Sequence, residues 1–112
     1  MKLKIKKLSP DATIPTYGTE ETAGFDLYAS EGKCIFPGGR TLVSTSIALD
    51  IPKGFEVQVR PRSGLAFKNG VTVLNAPGTI DSDYTGEVKV MLINLSTETY
   101  YLLKGDRIAQ GI

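Results

Sequence analysis

The sequence predicts an all-β domain, a barrel or a sandwich, with at most one short helix. Two observations lead there. Breakers recur along the whole chain, at Pro10, Pro15, Gly18, Gly24, Gly32, Pro37, Gly38, Gly39, Pro52, Gly54, Pro61, Gly64, Gly70, Pro77, Gly78, Gly86 and Gly105, and leave no room for a long helix. The segments between them are short and alternate apolar with other residues at the period of a strand.

Taken in order, the first segment puts Leu3 and Ile5 on one side and Lys2, Lys4 and Lys6 on the other. A lysine row of this kind guards an edge strand against pairing with another chain, and it reads as a solvated face rather than a ligand site. In "RTLVSTSIALDI", Val43, Thr45, Ile47, Leu49 and Ile51 share a side, and in "FEVQVR" so do Phe55, Val57 and Val59. Both are half-buried strands by pattern. "GLAFKNG" has room for a turn or two of helix. In "EVKVMLINL" the alternation blurs, because Val88, Val90 and Leu92 oppose Met91, Ile93 and Leu95. That pattern predicts a strand covered on both faces, as in the centre of a sheet or at a subunit contact.

Composition narrows the function. The 112 residues, 41% of them hydrophobic, suit one domain spanning 1–112, with no repeat or linker. Thirteen basic against twelve acidic residues give a net charge of +1, and no arginine cluster forms a nucleic-acid stripe. No apolar run approaches membrane-spanning length, and "MKLKIKKLSP" has no apolar core behind its charges, so the expected setting is soluble and cytoplasmic. The single Cys34 excludes an intrachain disulfide and fits a reducing compartment. No Cys or His set has metal-binding spacing. With no histidine in the chain, any general base must be a carboxylate, Lys, Tyr or Cys.

Four polar turns hold the candidate chemistry. In "TAGFDLYA", Gly24 permits tight backbone geometry and Asp26 sits among apolar neighbours, where a carboxylate needs a partner or solvent. It reads as a turn aspartate satisfying nearby N–H groups when taken alone. In "VRPRSGLAFKNG", Pro61 fixes the approach, Gly64 lets amides turn outward, and Arg62 with Ser63 adds a charged fork and a hydroxyl. This is either a phosphate cradle or an ordinary surface turn. In "NAPGTIDSDYTGEV", Asp81 and Asp83 share a face if the segment is extended, so one can serve as a base and the other as a structural group. The competing account is a hairpin in which Asn75 and Asp83 cap backbone groups. In "KGDRIAQGI", Asp106 and Arg107 are placed to pair at the surface, and Gln110 has no evident structural duty.

In this order, the turns resemble the first four motifs of trimeric deoxyuridine triphosphatases (dUTPases): "AGFDLYA", "PRSGLA", "NAPGTIDSDYTGEV" and "KGDRIAQ". The likeness runs from about Leu3 to the last residue. It implies a β-barrel-like, jelly-roll-related (β-clip) subunit that forms a homotrimer with sites at subunit boundaries. It also implies Mg2+-assisted hydrolysis of dUTP to dUMP and pyrophosphate. On that reading Asn75, Thr79 and Ile80 meet uracil largely through main-chain groups, and Tyr84 packs on the deoxyribose and excludes a 2′-hydroxyl. Asp81 is the general base that prepares water for attack on the α-phosphorus. Arg62, Ser63 and Gly64 hold the phosphates, Lys89 joins the nucleotide site, and Asp26 and Gln110 hold Mg2+ through its waters, Gln110 also serving the substrate.

Members of the family continue into a further strand and a Gly/Ser-rich arm carrying a fifth motif that closes over the nucleotide. The sequence stops at Ile112, before that motif, so the resemblance implies weak turnover for these 112 residues. A dCTP deaminase of related fold, or a dUTP-binding regulatory module of low activity, are the competing readings.

Overall fold

The alternating segments become ten strands and one helix: β1 (Lys4–Lys7), β2 (Phe25–Tyr28), β3 (Lys33–Ile35), β4 (Arg40–Asp50), β5 (Glu56–Arg60), α1 (Ser63–Asn69), β6 (Val71–Val73), β7 (Gly78–Asp81), β8 (Glu87–Asn94), β9 (Tyr100–Leu102) and β10 (Arg107–Gly111). The computed structural model describes residues 3–16 and 24–112. The expectations for Lys2, Gly18 and Ala23, the residue that opens the first motif, lie outside them.

Two four-stranded sheets form, in the orders β1-β4-β8-β6 and β2-β10-β5-β7, with β3 and β9 as a separate pair. All the pairings are antiparallel. The inward faces meet in one core: Val43, Ile47, Val88, Val90, Leu92, Val71 and Val73 come from the first sheet, and Phe25, Leu27, Val57, Val59, Ile80 and Ile108 from the second. The jelly-roll architecture expected from the resemblance is therefore present, with one seven-residue helix. That helix stops at Gly70, whose N–H bonds to the Ala66 carbonyl at 3.0 Å.

Three expectations are corrected. Phe55 precedes β5 and is exposed; it sits in a turn, its N–H bonded to the Pro52 carbonyl, so it leaves the face that Val57 and Val59 bury. Strand β8 is central, but only one of its faces is covered within the chain. Outward from it, Lys89 and Leu95 are exposed, and Met91 and Ile93 are half-buried. Leu42 stands opposite Met91 in the register, and Leu74 bonds through its N–H to the Met91 carbonyl, so these residues form an apolar outer face. Finally, β7 ends at Asp81 and the chain turns, with Tyr84 N–H bonded to the Asp81 carbonyl at 3.0 Å. Asp83 lies in that turn and does not continue the face of Asp81.

Strand β1 lies at an edge, with Lys4 and Lys6 exposed and Leu3 and Ile5 packed against the core, as its pattern predicts. Cys34 is a free, exposed thiol on β3, opposite Tyr101 of β9. Among the described residues no helix is long and apolar enough to cross a membrane.

Candidate active site

The first group of side chains is assembled by β2, β10 and the turn into α1. Antiparallel register sets Gln110 directly opposite Asp26 on one side and Arg60 on the other. The half-buried carboxylate of Asp26 meets Arg62 Nε at 3.3 Å and Arg107 Nη1 at 3.8 Å. Its placement among apolar neighbours is thus made tolerable by two guanidinium groups. Asp106 and Arg107 do not pair with each other as expected: Arg107 reaches Asp26, and Asp106 Oδ2 accepts the Leu103 N–H at 2.9 Å. Gln110 does have a structural contact, since Nε2 donates to the Pro61 carbonyl at 3.1 Å and ties β10 to the turn that carries Arg62. Its Oε1 lies so close to Gly24 that a Cβ there would fall 2.9 Å away, so a larger residue at 24 would displace the Gln110 amide.

A cavity of about 490 Å3 adjoins this group, lined by Arg62, Gly64, Lys68, Tyr100, Asp106 and Arg107 among others. Ser63 and Gly64 are exposed at the start of α1. Three cations therefore surround one opening, a setting suited to a polyanion.

The second group is assembled by β7, the turn after it and β8. A cavity of about 310 Å3 is lined by Leu42, Thr79, Ile80, Asp81, Tyr84, Glu87, Val88 and Lys89. Asp81 is exposed at the end of β7, with Tyr84 across the turn and Lys89 on β8, the next strand in the chain. Asn75 is exposed in the preceding turn and does not line this cavity. Among the described residues no hydrogen bond joins the side chain of Asn75 or Asp83 to a backbone group, so the capping account of the hairpin finds no contact there. Strand β7 is the edge of its sheet, paired with β5 alone, so its outer side presents peptide groups without a strand partner among the described residues. Sequence reasoning missed Leu42 and Glu87 as members of this cavity. Leu42 comes from a distant strand, and only the β4–β8 pairing brings it there.

The two groups do not meet within one chain. Along β5, Glu56 pairs with Asp81 and Arg60 with Gln110. Four residues of strand make about 13 Å, and the two strand spacings from β7 to β10 add about 10 Å across the sheet.

The sequence model of the dUTPase family matches residues 10–112. The chain belongs to the dUTPase family. The deoxyuridine 5'-triphosphate nucleotidohydrolase of Nautilia profundicola is 61% identical over 112 residues, which cover all of this chain and 79% of that protein. Its counterpart in Helicobacter hepaticus is 60% identical over 112 residues, covering 71% of that protein. Among solved structures, a variant dUTPase from phage phi11 of Staphylococcus aureus, described with a structural Mg(II) ion, superimposes with a TM-score of 0.94 at 22% identity, over all of this chain and 89% of that one. The dUTPase of Staphylococcus bacteriophage 80alpha, solved with dUpNHpp, gives 0.92 at 24% identity over 99% and 80% of the two chains. The dUTPase fold is thus common to this chain and the phage enzymes.

Proposed function

We propose that this protein hydrolyses dUTP to dUMP and pyrophosphate, and that its nucleotide site is completed between protomers. Membership of the dUTPase family supports the reaction. The observation that carries the site assignment is the cavity in which Asp81, Tyr84, Thr79, Ile80 and Lys89 converge beside an unpaired strand edge.

The free edge of β7 suits a pyrimidine, whose donors and acceptors match alternate peptide groups. A base with the wrong order leaves a buried group unpaired, which is why such readout discriminates strongly. Tyr84 forms the wall against the sugar. Asp81, exposed and in no ion pair among the described residues, can take a proton from water, and in a chain without histidine a carboxylate suits that role. Arg62, Ser63 and Gly64 hold the phosphate chain, and Lys89 adds charge at the nucleotide.

Asp26 and Gln110 fit Mg2+ as partners of its water shell. They face each other across the β2–β10 register and offer hard oxygens, while among the described residues no cluster of three or more His, Cys, Asp or Glu forms an all-protein cage. When bound, the ion would compensate charge on the phosphate oxygens. The two guanidinium groups on Asp26 hold its carboxylate in place beside the polyanion cavity.

Asp81 and the group of Arg62, Ser63 and Gly64 lie apart in one subunit, which supports a site whose parts come from neighbouring protomers. A homotrimer built through the outer face of Leu42, Leu74, Met91 and Ile93 supplies that arrangement, and a cytoplasmic setting is supported by the free thiol of Cys34. The described residues gather around one core, which supports the reading of a single domain.

The test is pyrophosphate release with Mg2+ from dUTP, dCTP, dTTP and UTP. Turnover should be confined almost wholly to dUTP, and Asp81→Asn should lower it by about 10²–10⁴-fold while dUTP affinity measured by calorimetry changes little. Equal turnover of all four nucleotides would remove the hairpin readout, and ammonia release from dCTP would replace the reaction with deamination.

A further inference from the structure

Strand β4 carries two residues more than β8 at one point, since Ser44 pairs with Lys89 and Ala48 with Glu87. Ser46, inside this bulge, adopts φ 55. A bulge leaves amides without ladder partners, and buried amides must find others. Two glutamates supply them. Glu31 Oε2 accepts the Ser44 N–H at 2.8 Å, and Glu87 Oε2 accepts the Ser46 N–H at 2.9 Å together with the Ser44 hydroxyl.

Glu87 is bound at its other end as well. Its main-chain carbonyl accepts the Tyr84 hydroxyl at 2.7 Å. The ring of Tyr84 lies on Gly86 so closely that a Cβ there would fall 3.0 Å from Oη and 3.1 Å from Cζ. Tyr84 is otherwise half exposed on a surface turn, and this bond to Glu87 is what fixes its ring against the sheet.

We propose that Glu87 is a positioning residue for sugar selectivity: its carboxylate locks into the β4 bulge, its carbonyl holds Tyr84, and the bulge thereby sets where the wall of the cavity stands. This rests on the assignment of Tyr84 as the sugar wall. A charge-assisted bond to a backbone amide is directional and stronger than a neutral one, so the turn cannot drift outward without breaking it. Glutamine keeps an oxygen for the Ser46 N–H, whereas alanine leaves that amide unsatisfied and frees the turn.

The experiment compares kcat/KM for dUTP and UTP in the unaltered protein and in Glu87→Ala, Glu87→Gln and Tyr84→Phe, with thermal unfolding measured in parallel. Glu87→Ala should reduce the dUTP-to-UTP ratio by about five- to tenfold, and Tyr84→Phe, which cuts the same link but leaves the bulge intact, should move it in the same direction. Glu87→Gln should restore most of the ratio. Should Glu87→Ala fail to fold, Tyr84→Phe and Glu87→Gln decide the matter. Parallel losses for both nucleotides, or an unchanged ratio in these variants of a protein that itself prefers dUTP, would overturn the inference alone. No preference in the unaltered protein would overturn the functional assignment with it.

Discussion

Asn94 has no exposed surface, yet every polar atom of its side chain is used. Nδ2 donates to the carbonyls of Ile35 and Glu98, both at 2.8 Å, and Oδ1 accepts from the Ser96 N–H at 2.9 Å and its hydroxyl at 2.8 Å. One residue thus ties the end of β3 to the turn between β8 and β9. Asn94→Ala should lower unfolding free energy by about 2–4 kcal/mol in urea titrations, because the carbonyls it serves are left unsatisfied. Asn94→Asp should cost more, since it sets an oxygen against those two carbonyls. Nothing in the spacing of "EVKVMLINL" marks this residue, because its partners come from Ile35 and from the turn beyond the strand. Asp26 is different: the sequence shows a carboxylate among apolar neighbours that needs a partner, and the structure supplies Arg62 and Arg107. Its need was legible and the identity of its partners was not.

At the scale of the element, strands long enough to repeat their period were readable: β4 and β5 bury the residues that alternation assigns to the core, whereas the blurred pattern of β8 overstated its cover within the chain. Strands β3, β6 and β9 have three residues each, too few to establish a period. The bulge in β4 was hidden for a subtler reason. Two added residues keep the parity of the side chains, so Val43, Thr45, Ile47 and Leu49 all remain inward across it. Strand β9 yields a pH prediction. Burial, and secondarily the charge of Asp106, raise the Tyr100 hydroxyl above its ordinary value of 10.0. The folded chain therefore keeps a proton that the unfolded chain releases. Stability from this source is complete below the ordinary tyrosine value and is lost as pH rises from it through the higher folded value. Urea midpoints followed from about pH 9 to about pH 11 should fall more steeply for the unaltered protein than for Tyr100→Phe.

For the molecule as a whole, the decisive feature is the separation of the two cavities within one chain. If Asp81 and Arg62 serve the same site from different protomers, the inactive variants Asp81→Asn and Arg62→Ala should rescue each other when unfolded and refolded together. In randomly mixed oligomers about a quarter of the sites would then combine an intact Asp81 with an intact Arg62. Activity no higher than that of the separate variants would place both groups in one subunit. The blurred alternation of β8 predicts cover on both faces, in a central strand or at a subunit contact, and periodicity alone cannot say which surface covers the outer one. The lone thiol on β3 offers a direct way to look: it lines neither cavity, and it occurs once per chain. A spin label or fluorophore attached there would report a single set of spacings if the proposed assembly is a symmetric ring, turning a residue without a catalytic part into a ruler for the assembly.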